Sequence, residues 1–294
     1  MSNATKRRQR SRFRPLVLLV SLIAMIAVVI GAASSFRQEE PPLPEPEPVI
    51  DPVTEQQAPQ WPSLDPAVKQ NDYAETAFAV LNDRIGYSGD DYTVLQGVDV
   101  SDHNGAIDWP AVQQDGIDFA ILRLGYRGYG NGAIVKDERF YEHAESLEQL
   151  GLDYGVYFFS QAISVEEAVE EAKFVIAQLN GHAPTLPVYF DWEPVSDAAR
   201  TADMTPQLLT ECALAFCRTI EDAGYKAGIY FNQEYGYRHF NLLSLKDYDF
   251  WLAEYANAPS FYYHFHQWQY SCTGTVSGIE TAADLNLRFI PKST

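Results

Sequence analysis

Residues 186–193 read LPVYFDWE. In an extended strand, residues two apart point to the same side, so Tyr189, Asp191 and Glu193 share one face and Val188, Phe190 and Trp192 share the other. The all-apolar face suits packing against helices. The other face gathers two carboxyl groups at the end of the strand. Working outward, similar short runs recur: VLQGVDVS at 94–101, DFAILRLGY at 118–126, DYGVYFFSQ at 153–161, KAGIYFN at 226–232, DFWLAEY at 249–255 and FHQWQYS at 265–271. Helix signals lie between them. Asp108 caps a segment that ends before Gly116, Ser164 and Glu167 form a capping box for a helix that stops at Gly181, and Thr205-Pro206 opens a third helix that ends before Gly224. Strands alternating with helices predict an α/β fold with a largely parallel sheet, closed as a TIM-like barrel. Residues 232–249 and 255–265 hold little helical pattern, so the last third of the barrel is expected to have lost its helices.

In such barrels the chemistry sits where strands end. Asp191 and Glu193 then face one cavity. Close carboxyl groups cannot both ionise cheaply, so one of them stays protonated near neutral pH and can act as a proton donor. Asp99 in GVDVS and Asp284 in AADLN, placed after the last strand, are brought together with this pair if the barrel closes. A single Asp after a strand often only caps the next turn. Two acids on one face of a buried strand need a further reason. Clustered carboxylates can also hold a metal, with Asp102-His103 or the alternating His264 and His266 as further ligands, but no spaced ligand motif supports this, and no cofactor is expected. The glycine-rich RLGYRGYGNG lacks the context of a nucleotide loop and reads as a flexible loop at the mouth. Aromatic residues are dense near the strand ends. Tyr126, Tyr157, Tyr230, Trp251 and Trp268, with Gln269 beside the last, are the candidate substrate contacts, because apolar faces of sugar rings stack on such side chains.

The charge of the 294-residue chain is uneven. Six basic residues precede residue 15, and residues 37–294 carry a net −25, which disfavours binding to nucleic acid. Residues 16–33 are an uncharged apolar run long enough to cross a bilayer, and the positive charges before it keep the N-terminus cytoplasmic. The alternative is a cleaved export signal, since Gly31, Ala32 and Ala33 are small. Either reading places the rest of the chain outside the cell. Residues 37–66 hold nine of the 17 prolines and read as an extended stalk, on the order of 90 Å long at ~3.1 Å per residue. The expected organisation is a basic tail (1–15), a membrane segment (16–34), a Pro/Glu-rich linker (35–66), a weakly helical pre-domain segment without assigned task (67–93) and a catalytic domain (94–294). Three cysteines cannot all pair within the chain. Cys212 and Cys217 lie five apart in one helix, a poor geometry for a bridge.

GVDVSDHNGAIDW, DFAILRLGYRG, YGVYFFSQA, FDWE, GIYFN, DFWLAEY, WQY and DLN, in that order, resemble glycoside hydrolase family 25, the lysozymes of the N,O-diacetylmuramidase type. The likeness covers about 95–292. It implies a modified barrel of about eight strands and five helices, and hydrolysis of the β-1,4 bond between N-acetylmuramic acid and N-acetylglucosamine in peptidoglycan. It also implies that Glu193 is the general acid, that Asp191 stabilises a positively charged intermediate or attacks as a nucleophile, and that Asp99 and Asp284 shape the field of the site. The membrane segment makes this a tethered enzyme of cell-wall turnover. The alternatives are an anchored peptidoglycan-binding module without catalysis and a chitinase-like barrel, although the acids expected before the pair in a chitinase are absent. No protein partner is indicated.

Overall fold

Eleven strands and six α-helices make up the computed structural model, which describes Trp61 and residues 63–292; the expected membrane segment and most of the proline-rich linker lie outside the described residues. Strands β1 (Phe78–Leu81) and β2 (Arg84–Tyr87) form a hairpin. Its two turn residues, Asn82 and Asp83, both have positive φ, as a tight hairpin of matching twist requires. The 67–81 stretch is therefore not helical, apart from the single 3-10 turn Glu75–Ala77.

The barrel follows. Its strands are β3 (Tyr92–Val100), β4 (Phe119–Arg127), β6 (Asp153–Ser160), β7 (Val188–Trp192), β8 (Ala227–Asn232), β9 (Asp249–Ala253), β10 (Gln267–Gly274) and β11 (Ala283–Pro291), while the short β5 (Ile134–Lys136) pairs with the end of β4. Neighbours run β3-β4-β6-β7-β8-β9-β10-β11 and return to β3, closing the ring. All are parallel except β11, which is antiparallel to both β10 and β3. Asp284 thus lies inside a strand rather than after the last one. In β11 the inward phase is polar (Asp284, Asn286, Arg288) and the outward phase apolar (Leu285, Leu287, Phe289), which disguises it as a loop.

Helices α1 (Trp109–Gln114), α2 (Phe140–Leu150), α3 (Val165–Leu179) and α4 (Pro206–Asp222) cross between the early strands. Three of them have the expected capping residues: Asp108 accepts from Ala111 N, Ser164 from Glu167 N and Thr205 from Leu208 N, although Glu167 accepts from Ile163 N rather than completing the capping box, and α2 has no side-chain cap. The 232–249 stretch is not free of helix. It holds α5 (Gln233–Arg238) and α6 (Leu242–Leu245), capped by Asn232 and Asn241. Both are too short to show a helical period in the sequence. Among the described residues no helix is long and apolar enough to cross a membrane.

Two apolar layers hold the barrel. The outer layer packs Val188, Phe190, Trp192, Phe216 and Leu287 between strands and helices. The inner layer is Phe119, Ile121, Tyr189, Tyr230, Trp251 and Ala253. Glycines make room inside: a Cβ on Gly97 would stand 2.2 Å from the Phe119 ring, and one on Gly228 2.5 Å from Tyr189. Below this layer Arg288 pairs with Asp249 at 2.8 Å and donates to the Tyr189 hydroxyl at 3.0 Å, so the barrel floor is an ionic plug rather than an opening, although Arg288 Nε and Gln267 Nε2 are buried there without a partner. The segment before β3 covers that end from outside. Tyr73 stacks on Phe289 with ring centroids 4.0 Å apart, and Phe78 and Tyr87 meet the same ring edge-on.

Candidate active site

Asp99 at the end of β3, Asp191 at the end of β7, Glu193 just beyond it and Asp284 at the start of β11 come together at the mouth, on the side where the parallel strands end. Asp284 and Asp99 are direct cross-strand partners, so both side chains share a face. Asp99 and Asp191 are each 5% exposed, whereas Glu193 is partly open to the cavity. Gln161 is fully buried and donates from Nε2 to the Glu193 carbonyl at 2.8 Å, while Thr201 donates to its Oε1 at 3.1 Å. That buried amide fixes the backbone carrying Glu193.

Asp99, Asp191 and the partly open Glu193 are all held toward their neutral forms, chiefly by loss of hydration. Burial pushes Glu193 up to about 7, with the negative charge of Asp99 adding to it. Burial raises Asp99 to about 6 against the opposing pull of two amide donors. Asp191 is raised well above the ordinary carboxylate range by burial, then by Glu193 and Asp99, with Arg123 opposing. Its Oδ1 is buried without any hydrogen-bond partner. Arg123 is already shared: its Nε lies 2.9 Å from Asp137, and its Nη2 donates to Asp102.

The candidate substrate contacts divide into three groups. Tyr126 and Tyr157 are partly open at the mouth, Tyr126 beneath the Arg123 guanidinium. Tyr230 and Trp251 are buried with centroids 4.7 Å apart, and Gln269, also buried, joins Tyr230 and Asp99; they form the floor under the acids rather than a stacking surface. Trp268 is not part of the site. It lies in the outer layer, wholly buried, against Phe78, with its indole N–H on the Glu254 carbonyl at 2.7 Å. Strand alternation explains this, since Gln269 takes the inward phase of β10 and Trp268 must point outward.

Two residues go beyond the candidate contacts. Asn286, inside DLN, donates to Asp99 at 2.7 Å; its two-residue spacing from Asp284 was the available signal. Tyr255 is 54% exposed at the rim and reaches Gln269 Oε1 at 3.2 Å, and it is the aromatic best placed to meet a ligand. The mouth loop is tied rather than loose: Arg127 donates to the Gly132 carbonyl at 2.8 Å, and Arg200 N to the Tyr129 carbonyl at 3.0 Å. Among the described residues no group of three or more His, Cys, Asp or Glu side chains is arranged to hold a metal ion. His264 and His266 sit together, centroids 5.1 Å apart, at the opposite end of the barrel.

The model of glycosyl hydrolases family 25 matches residues 98–279, a span that includes Asp99, Asp191 and Glu193 and stops short of Asp284. Lysozyme M1 of Streptomyces globisporus is 27% identical over 209 residues, covering 67% of this chain and 68% of that protein. The modular autolysin LytC from Streptococcus pneumoniae shares the fold with a TM-score of 0.60 at 24% identity, over 73% of this chain and 52% of that one, so the match spans about half of its length. A family 25 glycosyl hydrolase from Bacillus anthracis gives a TM-score of 0.54 at 23% identity, over 69% of this chain and 91% of that one. The chain belongs to glycosyl hydrolases family 25.

Proposed function

From that membership we propose that the protein is a muramidase, cutting the β-1,4 bond between N-acetylmuramic acid and N-acetylglucosamine in peptidoglycan. The observation that carries the reading is the pairing of Glu193, pushed up to about 7 in a partly open position, with the buried Asp191, whose Oδ1 has no protein donor. A carboxyl that keeps its proton at neutral pH can give it to the leaving glycosidic oxygen as the C–O bond breaks. The empty Oδ1 of Asp191 offers an acceptor to the N–H of a substrate acetamido group, which would favour the carboxylate form beside the developing positive charge at the anomeric carbon. Water then completes the hydrolysis at that carbon and returns a proton to Glu193. Relatives named lysozyme, and a modular autolysin solved with a synthetic peptidoglycan ligand, support this substrate class.

The enzyme is further proposed to be tethered, with residues 16–33 in the membrane, the basic tail inside and residues 35–66 as a stalk that holds the barrel toward the wall. Digestion of purified peptidoglycan by the full-length chain, followed by borohydride reduction, tests the activity. Muramitol ends are expected from the wild type, with a loss on the order of 10²–10⁴-fold for Glu193→Gln. No new ends from the folded wild type, with binding to the wall retained, would instead establish a non-catalytic wall-binding module.

A further inference from the structure

Asp99 is gripped by two side-chain amides whose direction is set from behind. Nδ2 of Asn286 at 2.7 Å and Nε2 of Gln269 at 2.9 Å donate to the same oxygen, Oδ2 of Asp99. An amide can turn either its NH2 or its carbonyl to a neighbour, so what lies on its far side decides. Behind Asn286 stands the indole Nε1 of Trp251, 2.8 Å from Oδ1. An indole N–H only donates, which leaves the Asn286 NH2 no direction but toward Asp99. Behind Gln269 the hydroxyls of Tyr230 at 3.0 Å and Tyr255 at 3.2 Å converge on Oε1. Turning the Asn286 amide over would set its carbonyl against the carboxylate and its NH2 against the indole N–H, in a buried site where unmatched groups are costly.

We propose that Asn286 and Gln269 are positioning residues that, oriented by Trp251 and by the Tyr230 and Tyr255 hydroxyls, keep Asp99 the ionised member of the acid cluster, so that its fixed charge retains the proton on Glu193. The inference rests on Glu193 being the proton donor. The contrast with Asp191 supports it, since that acid is equally buried but has no amide donor and an orphaned oxygen. The two donated hydrogen bonds lower Asp99 against its burial, whereas burial and the charge of Asp99 both raise Glu193. The other charged or titratable groups facing the cluster are Arg123 from β4, Tyr157 from β6, Asp191 from β7, Tyr235 from α5, Cys272 from β10 and Asp284 from β11. Arg123 is the cation among them, and it is engaged by Asp102 and Asp137.

The test is the pH–rate profile of the full-length enzyme on peptidoglycan. Without the amide grip Asp99 holds its proton to higher pH, Glu193 feels less negative charge, and it deprotonates at lower pH. The alkaline limb is therefore expected to move acidward by about 0.5–1 pH unit in Gln269→Leu and in the double variant Tyr230→Phe/Tyr255→Phe, as it does more fully in Asp99→Asn. A merely structural role would lower the height of the profile without moving the limb. Limbs that coincide with the wild type in the active variants overturn the proposal, and if Gln269→Leu does not fold, the double variant, which removes only two hydroxyls, decides. Glu193→Gln run in parallel separates the two claims. Full activity in that variant brings down the proton-donor reading and this inference together, whereas its inactivity alongside unmoved limbs brings down this inference alone.

Discussion

Replacing Asp191 by asparagine removes a carboxyl that burial, Glu193 and Asp99 all hold toward its neutral form. A carboxyl raised in the folded state favours folding only below its ordinary value of 3.8, and that stability is lost as pH rises toward the folded value. Asparagine cannot ionise and escapes this loss. Asp191→Asn is thus expected to match the wild-type Tm near pH 4 and to exceed it at pH 7.5, with the gap widening as pH rises toward the folded-state value. Activity on peptidoglycan should fall in the same variant. A Tm difference that stays flat with pH would show that Asp191 is not strained in the fold. At this scale the identities of Asp99, Asp191, Glu193 and Asp284 were readable from spacing and resemblance. The amide grip on Asp99 was not, because Gln269 and Asn286 acquire their orientation only from Tyr230, Tyr255 and Trp251, on other elements.

Strand β11 shows how an element can be hidden. Its residues alternate polar and apolar, yet the polar phase faces the barrel interior, the reverse of the usual pattern for a half-exposed strand. The hairpin of β1 and β2 was missed for another reason: its strands are four residues each, its Asn82-Asp83 turn takes positive φ without a glycine, and nothing in 67–93 shows what it covers. The structure shows Phe289, at the end of β11, surrounded by Tyr73, Phe78, Tyr87, Tyr92 and Phe265. Phe289→Ala is expected to cost about 3–5 kcal/mol in denaturant unfolding, because it empties that aromatic cage. Leu81→Ser, at the 68% exposed tip of the hairpin, should change stability by less than about 0.5 kcal/mol. Equal, small effects would mean that the pre-domain segment does not stabilise the barrel.

For the molecule as a whole, the proposed tether sets where the hydrolase can act. In that proposal a proline-rich stalk would limit the barrel to wall within reach of its own membrane, and the net −25 of residues 37–294 disfavours contact with anionic surfaces. Membranes washed with alkaline carbonate should retain the full-length protein, with the barrel accessible to protease from outside the cell. Recovery of the barrel only in the medium would replace the tether by a cleaved export signal.

The sequence by itself determined the α/β class, the seven parallel strands, the capping residues Asp108, Ser164 and Thr205 and the acids at the strand ends. Each of these follows from a local rule: a period of two, a capping side chain, or a motif within a few residues. Only the tertiary structure decided that β11 closes the ring antiparallel beside β3, that Trp268 belongs to the outer layer and not to the site, and that the segment before β3 seals the floor. It also decided how each acid is held toward its neutral form. Burial and the direction of neighbouring donors set this, and Asn286, a donor to Asp99, lies more than a hundred positions from it in the chain.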